Sequence, residues 1–282
     1  MMKYWILSLI LLLSCSAFPQ GRRALVFGLG QYEDKEWNTI HGDRDVPIVI
    51  EMLEEMGYSD IRSLINAQAT KQRMVNSIKE LAKRCNPGDH VYIHFSGHGQ
   101  RMTDTDGDEE DGWDEAWIPY DAYLKYGPKD KGEKHLTDDE IGGLLSEIRM
   151  RIGETGQLLV VVDACHSGDS SRNLENECIR GVEQKFTIPL SKPVAKKEKE
   201  PELWLTLSAC KHYQLNSELP TGVGKLTSGL YENRHLLKNM DNEEVEKQLK
   251  QFMDAHRKGL PQTPVLTGQR DQYSIKDIFN VK

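Results

Sequence analysis

Cys165 and His98 have the chemistry of a nucleophile and its base. Cys165 lies in the segment DACHSG and directly follows the apolar residues 158–162. His98 lies in FSGHGQR, just after a second apolar run, residues 90–96. A cysteine thiolate attacks carbonyl carbons, and an imidazole accepts the thiol proton and later protonates a leaving amine. A lone cysteine is more often a small buried residue, so the elements that position the pair must decide between the two interpretations.

Apolar runs alternate with helical patterns along the chain, which predicts an α/β domain with a mostly parallel sheet. The nearly continuous apolar character of residues 157–163 is typical of a central parallel strand. The predicted strands cover residues 24–30, 60–65, 90–96, 157–163 and 203–210, with a sixth at 263–268, and the predicted helices cover 45–56, 70–84, 137–151 and 241–256.

Both reactive residues come just after the carboxyl end of a predicted strand. In open parallel sheets, ligands and chemistry gather outside these strand ends. Glycines flank both residues, and glycine allows unusual backbone angles and a close approach of substrate. If the two strands are neighbours, His98 and Cys165 face one cleft.

Composition limits the classes of function. The chain has 282 residues with 38% hydrophobic and 28% charged side chains and a net charge of -8, which is typical of a globular domain. The acidic balance and the lack of a basic stripe argue against a nucleic-acid partner. Besides Cys15 there are four cysteines, without metal-ligand spacing and too few for a disulfide scaffold.

The first 20 residues predict an export signal. Residues 4–13 are apolar, too short to span a bilayer as a mature helix, and are followed by small residues that suit cleavage near Ala17. A second interpretation makes Cys15 a lipid-modified terminus that attaches the protein to a membrane. We therefore expect an exported protein that is periplasmic, secreted or lipid-anchored at the cell surface, with residues 21–282 as its mature domain.

HFSGHGQR and DACHSG closely resemble the two active-site signatures of the metacaspases and their bacterial relatives among the caspase-like cysteine peptidases. The similarity continues through DGDEEDGWDEAWIPYD, LTDDEI and TLSACKHYQLNSE, so it covers nearly the whole mature chain. The resemblance implies a caspase-like fold, a central mostly parallel sheet with helices on both faces. It also implies a catalytic dyad of His98 and Cys165 that hydrolyses peptide bonds through an acyl-enzyme. The backbone N–H groups of Gly99 and Cys165 would form the oxyanion hole.

The same resemblance implies a peptide or protein substrate with arginine or lysine before the cleaved bond. Asp163, Ser96 and Asp45 match pocket residues of the metacaspases, and two carboxylates can bind a guanidinium with charge-assisted hydrogen bonds. Gly42 stands where metacaspases often have a cysteine. A second interpretation of Asp45 is a helix N-cap, which its position before Val46-Pro47 suits.

Calcium is the metal that the resemblance implies. Asp114, Asp138 and Asp139 match three family ligands, but Arg172 stands at the fourth position. Asp138 and Asp139 also suit the first turn of a helix without any metal. Asp104, Asp106, Asp108 and Glu115 follow the EF-hand spacing, but Glu109 replaces its essential glycine. We expect weak Ca²⁺ binding and no cofactor that activity requires.

A lysine-rich linker, residues 191–201, separates a large part, residues 21–190, from a small part, residues 202–282. Caspase relatives are often processed in this region, so a peptidase that prefers basic residues could cut itself here, and an uncut surface loop is the alternative. Two other functions compete with the peptidase. One is a catalytically silent caspase-like binding module. The other is a calcium-binding or adhesion protein that uses the acidic loop of residues 101–121.

Overall fold

A central sheet of six strands forms the body of the protein. The computed structural model describes residues 20–166, 178–192, 194–257, 259 and 261–280. In chain order the strands are β1 Arg22–Gly28, β2 Asp60–Ile65, β3 His90–Ser96, β4 Gly99–Thr103, β5 Trp113–Trp117, β6 Leu136–Thr137, β7 Gln157–Asp163, β8 Leu205–Ser208 and β9 Val265–Gly268. The large sheet has the order β2-β1-β3-β7-β8-β9, and only β9 runs antiparallel to its neighbour.

Helices cover both faces of this sheet, because alternate residues of its strands point to opposite sides. Among the described residues, two helices pack on one face and four on the other, and each side has its own apolar core. The first group is α2 Lys71–Arg84 and α3 Asp138–Ile152; the second is α1 Asp45–Glu55, α4 Lys225–Leu237, α5 Asn242–Ala255 and α6 Ile275–Phe279. This architecture confirms the expected α/β class.

A second, three-stranded antiparallel sheet of β4, β5 and β6 was not predicted. Residues 101–121 are acidic and polar, and this composition predicts a long loop. β4 and β5 form a hairpin in which Gly99 pairs with Trp117 and Thr103 with Trp113. Its turn is built by Asp104, whose carboxylate accepts the backbone N–H groups of Asp106 and Gly107.

The register of β3 and β7 brings the two reactive residues to one edge. These strands are parallel neighbours, and Ser96 pairs with Asp163 at their carboxyl ends. His98 and Cys165 each come two residues after this pair. The sheet therefore places them at matching positions beyond adjacent strands, as the sequence pattern predicts.

The predicted export signal and the lipid-attachment residue Cys15 lie outside the described residues. In the described part of the chain, no helix is both long and apolar enough to cross a membrane. The described residues of the linker 191–201 contain neither helix nor strand.

Candidate active site

His98 is completely buried against two aromatic rings that also contact each other. Its imidazole lies 5.3 Å from the ring centroid of Tyr32 and stacks on Trp37 at 5.2 Å. The hydroxyl of Tyr32 also accepts the backbone N–H of His98 at 2.8 Å. These contacts fix the orientation of the imidazole.

The hydrogen bonds of His98 define its tautomer. Nε2 lies 2.8 Å from the carbonyl oxygen of Asn38, and because a carbonyl only accepts, Nε2 carries the hydrogen. Nδ1 is buried and has no hydrogen-bond partner among the described residues. Burial lowers the pKa of His98 to about 4, so the ring is neutral at pH 7. His98 thus offers one free lone pair as a base.

Cys165 follows the end of β7 and is 1% exposed. Its Sγ lies 3.3 Å from the carbonyl oxygen of Gln214, and Sγ of Cys210 lies 3.4 Å from the same oxygen. A hydrogen bond with Cys165 and burial together raise the pKa of the Cys210 thiol. None of the four described cysteines is in a disulfide bond, so the thiol of Cys165 is not blocked in this way.

The loops that carry His98 and Cys165 touch at Gly99. A methyl group added to Gly99 would lie 2.6 Å from Cδ2 of His166 and 2.7 Å from the carbonyl oxygen of Cys165, so only glycine fits. His166 pairs with Glu115 at 3.2 Å. Burial opposes the charge on His166, but Glu115 outweighs it and the pKa of His166 is raised. This ion pair holds the Cys165 loop against β5.

Asp45 and Asp163 are completely buried and lie on either side of one polar pocket. The hydroxyl of Thr227 lies 3.0 Å from Oδ2 of Asp45 and 2.7 Å from Oδ2 of Asp163. Ser96 donates to Asp45 at 2.7 Å, and Asn216 donates to Asp163 at 2.8 Å. Asp45 is the first residue of α1, and its carboxylate faces the pocket. The N-cap of this helix is Arg44, without a side-chain cap hydrogen bond, so Asp45 is not the N-cap.

The guanidinium of Arg180 occupies this pocket. It binds Asp45 through two nitrogens, at 2.5 and 3.1 Å, and its Nη1 lies 3.4 Å from Asp163. Nε donates to Glu218 at 3.0 Å. Arg180 is completely buried. The two carboxylates that the sequence analysis assigned to substrate binding therefore act together on one arginine side chain.

A separate acidic cluster lies beside the turn of the β4–β5 hairpin. Carboxylate oxygens of Asp108, Asp114 and Asp139 lie within 4.8 Å of one another. Asp138 lies outside this trio and pairs with Lys199 of the linker at 2.8 Å. Lys199 also contacts Glu109. Two of the three predicted calcium ligands thus meet, and the third is neutralised by a lysine.

The acidic cluster suits a hard cation. Oδ1 atoms of Asp108 and Asp114 are buried without a hydrogen-bond partner among the described residues, and carboxylate oxygens are the ligands that Ca²⁺ prefers. Burial and the neighbouring carboxylates raise the pKa of Asp114 to about 8 and that of Asp139 to about 7. Arg172, the residue expected to oppose calcium, lies outside the described residues.

Several residues of the pocket escaped the sequence analysis. Gly224 donates its N–H to Asp45 at 3.0 Å, and an added methyl group would lie 2.1 Å from Asp163. Arg180 stands in CIRGV, where an arginine between apolar residues was the available signal. The other missed residues are Asn216, Glu218 and Thr227, of which the first two lie in a segment that was quoted only for its family resemblance.

Comparison of the sequence with known proteins identifies the family of this chain. The family model described as "Metacaspase, peptidase C14 domain" matches residues 22–172. Metacaspase-1B of Neurospora crassa is 39% identical over 103 residues, which cover 36% of this chain and 21% of that protein. Metacaspase-1B of Aspergillus terreus is 32% identical over 155 residues, 55% of this chain and 36% of that protein. The matched segments thus span about a third or less of these relatives.

Solved structures agree on the fold. Protein GSU0716 from Geobacter sulfurreducens has a TM-score of 0.62 at 24% identity, covering 88% of this chain and 92% of its own. Caspase-1 from Spodoptera frugiperda has a TM-score of 0.60 at 11% identity, covering 88% of each chain. At these identities the likeness shows a caspase-like fold and nothing finer. Because the family model covers more than half of the sequence, the chain belongs to the metacaspase family of C14 peptidases.

Proposed function

We propose that the protein is a cysteine endopeptidase that cleaves peptide bonds after arginine or lysine, with Cys165 as nucleophile and His98 as base. The observation that carries the specificity is the buried guanidinium of Arg180 between Asp45 and Asp163. A site that holds one guanidinium in this way suits the same group on a substrate. An aspartate side chain there would face two buried carboxylates and would be repelled.

The proposed mechanism gives each of the two reactive side chains one role. Nδ1 of His98 accepts the thiol proton, and Sγ of Cys165 attacks the carbonyl carbon of the bound peptide. The backbone N–H groups of Gly99 and Cys165 stabilise the negative charge on the carbonyl oxygen. The C–N bond then breaks as the imidazolium protonates the leaving amine. Water hydrolyses the thioester and regenerates the thiol.

Peptide pairs test the proposed specificity. Matched fluorogenic peptides with arginine, lysine or aspartate before the reporter group differ only in the side chain that enters the pocket. We expect hydrolysis of the first two and none detectable of the third, because an unpaired buried charge costs several kcal/mol, on the order of 3–5. Equal rates for arginine and aspartate peptides would refute the assignment of the pocket.

We also propose that the acidic cluster binds Ca²⁺ weakly through Asp108, Asp114 and Asp139. The ammonium group of Lys199 pairs with Asp138 and Glu109 and therefore competes with Ca²⁺ for the negative charge of this region. The competition from Lys199 supports a low affinity for Ca²⁺ and a peptidase activity that persists in chelator. The ion would brace the hairpin that carries Glu115, the partner of His166.

Calcium binding is expected to be lost in Asp139→Asn and to strengthen as the pH rises from 6 to 9. The raised pKa values of Asp114 and Asp139, about 8 and about 7, mean that at neutral pH Asp114 is mostly protonated and Asp139 is about half protonated, and that these protons are released when the ion binds. Isothermal titration at three pH values measures the affinity and the released protons. Asp254→Asn, which changes an exposed acid on α5, is the matched control. Unchanged affinity in Asp139→Asn would contradict the site.

The localisation remains a sequence-based proposal. An export signal in residues 1–20 would carry the domain out of the cytoplasm, with lipid attachment at Cys15 as the alternative to simple cleavage. Intact-mass spectrometry of the protein purified from its native membrane and soluble fractions distinguishes the two processing products.

A further inference from the structure

The segment Cys178–Gly181 binds to the rest of the protein as a peptide substrate would, at its side chain, its backbone and its carbonyl group. The side-chain contact is that of Arg180 in the polar pocket between Asp45 and Asp163. This contact alone is equally compatible with a permanent structural ion pair. The backbone contacts of the same segment distinguish the two.

The backbone of this segment forms a short antiparallel pairing with residues 216–218. The N–H of Arg180 donates to the carbonyl of Asn216 at 2.9 Å, and the N–H of Glu218 donates to the carbonyl of Cys178 at 3.0 Å. Ile179 pairs with Ser217 between them. Addition of an extended strand to an exposed edge is a common mode of peptide recognition.

The carbonyl of Arg180 lies at the nucleophile. Its oxygen accepts the backbone N–H of Cys165 at 2.9 Å, which is the proposed oxyanion-hole donor. The next residue, Gly181, forms a β-bridge with Gly99, the other proposed donor. The bond between Arg180 and Gly181 therefore lies across the catalytic groups, and a structural ion pair would not require this.

Residues after Gly181 are held independently of the pocket. Phe186 exchanges backbone hydrogen bonds with β4, donating to Arg101 at 2.8 Å and accepting from Thr103 at 3.0 Å. Its side chain is completely buried. Cleavage after Arg180 would leave this downstream segment anchored while the upstream end loses its covalent connection and can leave the pocket.

We propose that Arg180–Gly181 is an internal cleavage site: the uncut chain is latent because Arg180 fills the substrate pocket, and cleavage of this bond in cis opens it. This inference rests on the proposed peptidase function. Sγ of Cys165 forms a thioester with the carbonyl carbon of Arg180, and the Gly181 nitrogen leaves with a proton from His98. Water then releases the Arg180 carboxylate and restores the thiol. The site is distinct from the lysines of the linker 191–201, two of which, Lys197 and Lys199, pair with acids next to the acidic cluster.

Two variants that cannot be cut should differ in activity. Arg180→Gln removes the basic side chain and leaves the pocket open, so added arginine peptide is hydrolysed without processing. Gly181→Pro keeps Arg180 in the pocket but replaces the Gly181 nitrogen, which is the leaving group, with a proline nitrogen that has no N–H. We expect this chain to stay uncut and latent. A tethered ligand acts at an effective concentration of about millimolar, so we expect at least roughly tenfold lower peptide hydrolysis for Gly181→Pro than for Arg180→Gln.

Mass spectrometry and N-terminal sequencing of the full chain identify the cut. Wild type and Arg180→Lys should give a fragment that begins Gly-Val-Glu-Gln-Lys, whereas Cys165→Ala stays intact. Lys196→Gln, in the linker, is the matched control and should be cut like wild type. The processing rate should not depend on protein concentration, because the site lies in the same chain as the nucleophile.

The outcomes separate this inference from the proposed function. An intact wild type that hydrolyses arginine peptide as fast as Arg180→Gln would overturn the internal site and leave the peptidase standing. Cleavage only at the linker lysines would overturn it as well. If no variant hydrolyses any arginine or lysine peptide although circular dichroism shows native folding, the proposed function itself fails. Arg180→Gln leaves buried carboxylates without their partner, so this variant could fail to fold. In that case Gly181→Pro and Arg180→Lys still decide the test.

Discussion

Replacement of Cys165 by alanine is expected to lower kcat/KM for arginine peptides by at least about a thousandfold, and His98→Gln is expected to do the same. In the proposed mechanism the two side chains act as a unit, and removal of either member of such a unit costs orders of magnitude. Steady-state hydrolysis of a fluorogenic arginine peptide measures both effects. The double variant should be no worse than either single one, because the losses of cooperating groups do not add.

Matched variants separate catalysis from stability. Cys85→Ala removes another buried thiol, and His90→Gln changes another buried imidazole; neither residue lies at the carboxyl end of the sheet. Both should keep wild-type kcat/KM. Thermal unfolding must show that all four proteins are folded, since His98 packs on two aromatic rings. Residual activity of a tenth or more in folded Cys165→Ala would mean that the nucleophile is another residue.

The strands that position the dyad could be predicted from the sequence almost to the residue. β2, β3 and β7 have the predicted bounds, and β3 and β7 are buried runs with turn residues on either side. Helix α1 was predicted from its proline in the first turn, and α5 from its amphipathic pattern, to which the structure adds a capping box at Asp241. In these segments the local pattern and the tertiary environment favour the same structure.

The β4–β5 hairpin and helix α4 are among the elements that local pattern did not predict. The β4–β5 hairpin is joined by an acidic turn, so its short alternation is hidden in a polar stretch. Helix α4 begins after Gly224 without a side-chain cap and has Gly229 in its middle. Gly229 is there because the helix packs closely on α5: an added methyl group would lie 3.1 Å from the Phe252 ring. Tertiary contact, which a single sequence does not display, decides both cases.

The candidate site divides in the same way. His98, Cys165 and Asp163 follow strands that are readable in the sequence, and the family resemblance added Asp45 and Ser96. Arg180 could not be found, because its role depends on carboxylates 135 and 38 residues away in the chain. A buried arginine among three acids becomes visible only when the fold brings these distant residues together.

Asp163→Asn is expected to reduce the preference of the enzyme for arginine over glutamine before the cleaved bond. The change keeps the shape and removes one charge beside the guanidinium, and the single amide oxygen can accept from Asn216 or from the Thr227 N–H but not from both. Loss of one partner of a buried charge pair costs on the order of 2–5 kcal/mol, so the ratio of the two kcat/KM values should fall by a factor of about 30 or more. The ratio is measured within one variant, so that latency and the folded fraction cancel.

A buried carboxylate elsewhere provides the control for this variant. Asp89 is 1% exposed and pairs with Nε of Arg23 at 2.8 Å, at the end of the sheet opposite the dyad. Asp89→Asn removes an equally buried charge and should lower thermal stability while the arginine-to-glutamine ratio stays at the wild-type value. A ratio that falls equally in both variants would assign the effect to general destabilisation. A ratio unchanged in folded Asp163→Asn would leave Asp45 and Glu218 as the acids that select the basic residue.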